Sequence, residues 1–156
     1  MIVVGEDMNY TMEPSADGLH IVVKVHGDIT RRDALQLNLE AHALGRQLGT
    51  DCYLIDVTEA RNVDPATEIY GFAYSDMVNA NGIDRSAFIA VVANPDDHSH
   101  DFAETVCGNA GFHVTIFRDR REAVQALAGA KLPEETRSDR KAENGCERRG
   151  TPGVGY

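Results

Sequence analysis

The chain has no tryptophan, and phenylalanine and tyrosine together supply only 6% of it. Its hydrophobic core must therefore be built from Val, Ile, Leu and Ala. Cysteine is scarce and odd in number (Cys52, Cys107 and Cys146), with no CxxC pair. That excludes a disulfide framework or a cysteine-rich metal module and suits a reducing cytoplasm. No apolar run approaches the roughly 18 residues a membrane-spanning helix needs. The opening MIVVGEDMNY has too short an apolar run and too many acids to read as a signal peptide. A glycine-rich phosphate loop and a nucleophile elbow are also missing, so phosphate-loop and serine-hydrolase chemistry have no foothold. Positive charge is short: 15 Lys and Arg stand against 25 Asp and Glu, a net of −10. From Lys131 onward there are six basic and five acidic residues, which leaves nine basic and twenty acidic before it, a net of −11. Such a surface repels nucleic-acid backbones and anionic membranes and favours basic partners.

What is present is a succession of short apolar runs separated by helix signals. At 156 residues the chain can hold one domain with a real core. Residues 8–13 and 19–25 read as a hairpin about Asp17-Gly18, with Leu19, Ile21, Val23 and Val25 on one face. Thr30 and Asp33 are spaced as a capping box. Ala34, Leu37, Ala41, Leu44 and Leu48 then recur at helical spacing until Gly49. CYLIDV (52–57) is apolar enough to be a strand covered on both faces, ending at Asp56. Asp64 and Pro65 predict a helix start, with Ile69, Phe72, Ala73, Met77 and Ala80 on the buried side and Asn81-Gly82 as the stop. AFIAVVA (87–93) is the next buried strand. The helix after it turns Phe102, Ala103, Val106, Cys107 and Ala110 inward and stops at Gly111. FHVTIF (112–117) is the last strand, and Asp119 with Glu122 opens a final helix that buries Ala123, Val124 and Leu127. The pattern predicts an α/β domain over 1–130, with a mixed, mostly parallel sheet of about five strands and about four helices. Residues 131–156 are charged, carry Gly and Pro and hold few apolar side chains, so they are expected to be disordered.

Three groups of residues stand out chemically. Asp96, Asp97, His98, His100 and Asp101 form the densest polar cluster. Histidine and carboxylate suit zinc, which raises a metal-binding protein or metal-dependent hydrolase as an alternative. However, His98 and His100 do not share a helix face, and the aspartates fit a helix start after Asn94-Pro95. Asp56 lies at the carboxyl end of a central strand, where open α/β sheets place ligands. A receiver-type phosphoacceptor would also need an acidic pair after the first strand and a lysine after the last. The loop after Phe117 offers only Arg118, Arg120 and Arg121, so Asp56 reads as a backbone organiser. On the second helix, Phe72 and Met77 share the buried stripe. Tyr70 and Tyr74, four apart, share another face and suit either a rim or dimer contact or one wall of an apolar ligand pocket beside this helix. Cys52 and Cys107 read as inert core thiols, and His26 and His42 as surface or edge residues.

The order of elements, with V25-H26-G27-D28-I29-T30, the L54-I55-D56-V57 strand running to Val63-Asp64, and G111-F112-H113-V114-T115-I116-F117, resembles the SpoIIAA-like branch of the STAS superfamily, grouped with SEC14-like folds. The resemblance covers about residues 8–129. It implies a non-enzymatic regulatory or binding module, without a cofactor, that engages a partner protein or a small apolar, lipid-like ligand, and it allows a homodimer. It places the site at the second helix: Asp64 to fix the helix start, and Thr67, Tyr70, Phe72, Tyr74 and Met77 around it. In the anti-sigma antagonists of the superfamily a serine at this helix start is phosphorylated. Here Ala66 takes that place and Thr67 is the nearest hydroxyl, so a phospho-switch at Thr67 is the remaining alternative.

Overall fold

The computed structural model describes residues 3–4 and 10–130. Six strands form one sheet in chain order: β1 (Val3–Val4), β2 (Tyr10–Pro14), β3 (Ile21–Ile29), β4 (Cys52–Asn62), β5 (Phe88–Val92) and β6 (His113–Phe117). β1, β2 and β3 pair antiparallel, and β3 through β6 pair parallel. Apart from the two-residue β1, this is the mixed, mostly parallel five-strand sheet that the sequence predicts. Residues 131–156, expected to be disordered, lie outside the described residues, as do residues 8–9 of the hairpin.

The helices are α1 (Arg31–Leu48), α2 (Ala66–Gly71, continued by a wider π turn over Phe72–Met77), α3 (Asp101–Asn109) and α4 (Arg120–Ala130). Because β3 to β6 advance in one direction across the sheet, right-handed crossovers put α1, α2 and α3 on the same face. Their apolar stripes meet Val23, Ile55, Val57 and Ile89 there. α4 returns on the opposite face, over β4, β5 and β6, where Ala123 and Leu127 pack on Leu54, Ala90 and Val92. The part of that face which α4 leaves open carries polar Thr11 and Glu13, both exposed.

Local signals position α1 closely. Thr30 Oγ1 accepts from the Asp33 amide and the Asp33 carboxylate accepts from the Thr30 amide, a complete capping box. Gly49 closes the helix in the left-handed conformation, φ 76°, which a side chain resists. Five expectations are corrected. β4 does not end at Asp56 but runs on to Asn62, because a bulge opposite Lys24 and His26 absorbs an extra residue. Leu19 falls in the turn before β3 and is exposed, and Leu48, in the last turn of α1, is exposed too. Phe102, in the first turn of α3, also faces outward. His42 is 1% exposed, stacked on Tyr53 with centroids 4.7 Å apart. Its Nδ1 lies 2.8 Å from the Asn38 carbonyl and must donate to it, and burial holds its pKa below the ordinary value.

Candidate functional site

Between the sheet and α1, α2 and α3 lies a cavity of about 120 Å³. Its floor is Ile55, Val57, Ile89, Val91, Val114 and Ile116, every second residue of three parallel strands. Its roof is Ile69, Phe72 and Met77 from the helix over residues 66–79. The space exists because α1 and α3 meet it with Ala34 and Ala103, side chains too short to fill what the sheet leaves open. The π turn lies in that roof, as such turns often do at sites. Polar groups reach the wall at a few points: Asn38, His100 and Glu104 within, and Thr30, Arg31, Asn62 and Asp64 toward the N-terminus of α1.

Most of these groups are committed to bonds that hold the roof and walls. The Asp64 carboxylate accepts the backbone N–H of Arg31, the first residue of α1. This corrects the expectation that Asp64 caps its own helix: Pro65 precedes α2 with no side-chain cap. Asp64 therefore ties the entry of α2 to the start of α1, 33 residues earlier. Glu104 accepts from the Ile116 amide at 2.8 Å, covering an N–H of edge strand β6. His100 Nε2 lies 3.2 Å from the Ala60 carbonyl. Cys107, also on the wall, has its thiol pushed up to about 11 by burial and is not a nucleophile at neutral pH.

Arg31 fastens α1 to the roof. Its Nε and a terminal nitrogen reach Asp76 at 2.6 and 2.9 Å, and the other terminal nitrogen lies 3.3 Å from Glu68. The guanidinium rests against Gly71, which has no side chain to obstruct it. A shallow depression bordered by Arg32, Leu35, Glu68 and Asp76 shares Thr30, Arg31 and Asp64 with the cavity wall, so the Arg31 pair stands at the cavity's rim. The hydrogen bonds from Arg31 hold the Asp76 carboxyl below the ordinary 3.8. A lowered carboxylate pKa adds stability above the unfolded value and loses it as pH falls through the folded one. Asp76→Asn is thus expected to lower the melting temperature at neutral pH, with the difference from wild type closing below pH 3.8. Thermal unfolding of both proteins across that range checks it; a difference independent of pH would assign the effect to packing.

The residues singled out from sequence separate into two groups. Phe72, Met77 and Asp64 line the cavity. Tyr70 and Tyr74 do not: they are 54% and 39% exposed and stack on each other, centroids 4.6 Å apart, on the outer side of the roof helix. Thr67 is exposed in the first turn of the same helix. The tyrosines therefore form no wall of the apolar pocket, and their shared face looks to solvent. Arg31, Asn38, Ala103 and Glu104 belong to the cavity but carry no local signal, since each reads as an ordinary helical residue until α1 and α3 are placed side by side.

The Asp/His cluster at 96–101 is spent on a loop. Asp96 and Asp97 do not start the helix, which begins only at Asp101. Asn94 accepts from the Asp96 amide and Asp97 from the Ser99 amide. Asp101 pairs with His98 at 2.8 Å and Arg118 at 2.7 Å, and Arg118 also donates to the Asp97 carbonyl. Among the described residues no group of three His, Cys, Asp or Glu side chains converges as metal ligands. Asp56 is buried and clamps the bulge of β4: its Oδ1 accepts from the Thr58 amide at 2.9 Å and hydroxyl at 2.7 Å. Burial alone would raise its pKa; the bonds from Thr58, with Lys24 and Arg120 nearby, outweigh that and hold it low. Asp56 thus organises backbone, on the face opposite the cavity.

No family model matches the chain, and no curated protein matches it in sequence. Among solved structures it is similar to an anti-sigma factor antagonist from Mycobacterium paratuberculosis, at 15% identity, over 81% of this chain and 99% of that one, with a TM-score of 0.50. It is also similar to an uncharacterized protein of the DUF3478 family with a SpoIIAA-like fold from Shewanella loihica, at 18% identity, over 81% and 98% of the two chains, with a TM-score of 0.46. At such identities the likeness is one of fold. The mixed, mostly parallel sheet with four helices expected from the order of elements is the one observed, and it is a fold similar to that of the anti-sigma factor antagonist. Among the described residues no helix is long and apolar enough to cross a membrane.

Proposed function

We propose that this protein is a non-enzymatic regulatory module of the cytoplasm that binds a partner protein through the outer face of the helix over residues 66–79, with Tyr70 and Tyr74 as its anchor. The observation that carries the reading is the exposed tyrosine stack. Two rings already ordered against each other lose little freedom on docking, and tyrosine supplies apolar area together with a hydroxyl. The helix beneath is pinned by Arg31 and Asp64, so the patch is presented on a rigid support. Thr67, one turn before Tyr70, extends the same exposed surface. The acidic body favours a partner with a basic rim around the aromatic contact. Similarity in fold to an anti-sigma factor antagonist supports a protein-binding rather than a catalytic reading. So does the use of the buried polar groups: Asp56 is bonded to backbone and Glu104 likewise.

The test is retention of proteins from the source organism's lysate on immobilised wild type and on the Tyr70→Ala/Tyr74→Ala variant. Proteins held by the first and lost by the second are then identified and purified, and their affinities measured. The double substitution should weaken binding by about tenfold or more, ~1.4 kcal/mol, with an unchanged melting temperature. Sedimentation of the two proteins alone shows whether the partner is a second copy of the chain. Equal retention by a folded double variant sinks the assignment.

A further inference from the structure

We propose that the cavity beneath the roof helix binds a compact, uncharged single-ring molecule bearing one hydrogen-bond donor, and that Asn38 receives that donor. The inference is independent of the tyrosine patch, which faces the other way.

Size is the first argument. A volume of about 120 Å³ is close to that of an engineered apolar cavity of ~150 Å³ that stays dry and takes up benzene. A six-membered ring fits such a volume. The walls come from Ile55, Val57, Ile89, Phe72 and Met77 and offer such a ring apolar contact.

Asn38 is the second argument. It lines the cavity and is only 8% exposed. Its side-chain nitrogen donates to the Ala34 carbonyl at 2.8 Å, which fixes the orientation of the amide, since a carbonyl can only accept. The Oδ1 atom is left without a hydrogen bond among the described residues. Nor is it sealed in protein: the one enclosed side-chain nitrogen or oxygen without a partner there is Nε2 of His42. A ligand donor entering the cavity would therefore meet an acceptor that the protein leaves open, in apolar surroundings where a hydrogen bond is stronger than in water. A lone water is a poor substitute, because it needs two to four polar partners. The Glu104 carboxylate on the same wall disfavours an anionic ligand.

Phenol and toluene test this directly. They match in shape and differ in one donor. The full chain is titrated with each and followed by amide chemical shifts and by the melting temperature. Wild type should bind phenol saturably and at least fivefold tighter than toluene. Asn38→Leu, similar in volume, should bind the two equally. Ala103→Leu, which fills the cavity from α3, should bind neither. Equal affinity for phenol and toluene in wild type, a phenol preference that survives in Asn38→Leu, or undiminished phenol binding by Ala103→Leu each overturns the proposal. So does the absence of saturable shifts around the cavity. If Asn38→Leu does not fold, the wild-type comparison and Ala103→Leu still decide.

Discussion

Phe72→Ala is expected to destabilise the fold by about 3–5 kcal/mol, within the range for emptying a buried aromatic position. Phe72 is 8% exposed and packs with Met77, Val106, Cys107 and Phe112 between the roof helix and α3. It also borders the existing cavity, so the vacated volume joins a void that Ala34 and Ala103 already leave open. Neither alanine can move in, and the sheet floor is fixed by its ladders, so collapse is limited. A loss of this size is a large fraction of the ~5–15 kcal/mol that holds a typical domain together. The enlarged cavity should take two-ring compounds that wild type excludes, and naphthalene should raise the variant's melting temperature but not that of wild type. Denaturant unfolding gives the first number and a thermal-shift series the second. A cost below about 1 kcal/mol would mean that the roof helix closes over the gap and is looser than its packing implies.

Gly45→Ala comes next, at about 2–3 kcal/mol of destabilisation, although alanine is the better helix former by ~1 kcal/mol. Gly45 is buried in the last turns of α1. A methyl group there would meet the Thr50 carbonyl oxygen at 2.7 Å and the Tyr53 ring carbon Cζ at 2.9 Å, and would collide with the Tyr53 hydroxyl. The Thr50 oxygen is backbone, in a turn held by the bond from the Thr50 amide to the Gly45 carbonyl. Tyr53 is 2% exposed and wedged under His42, so it cannot swing aside. Gly71→Ala is the control. Its methyl would meet only the guanidinium of Arg31, with Cζ at 2.8 Å, the end of a long side chain that can shift. Gly71→Ala should leave overall stability within about 1 kcal/mol of wild type, the helix propensity gained offsetting the disturbed Arg31–Asp76 pair. Equal effects of the two substitutions would show that helix propensity, not close approach, governs both.

The polar interior shows where reading a sequence stops. The capping box at Thr30 and Asp33 is local, so its spacing announces it and the structure has it. Asp64 looks like a cap by the same rule, yet its carboxylate serves a helix that begins 33 residues before it. The rule identified a residue built to satisfy an amide but not whose amide it would be. His42 reads from the sequence as a surface or edge residue, because nothing in its neighbours along the chain says that it will lie buried against Tyr53. For Tyr70 and Tyr74 the four-residue spacing was enough to predict a shared face, because a helix enforces it; that the face is exposed depends on which side α3 and the sheet occupy.

The sequence by itself determined the elements and their succession along the chain. Each rests on short-range physics: apolar period, caps and left-handed glycines. Only the tertiary structure decided where space is left over. The cavity exists because two alanines, from helices 69 residues apart at Ala34 and Ala103, face a floor of β-branched side chains beneath a π turn. A void is a property of what several distant residues together fail to fill, and no local pattern records it.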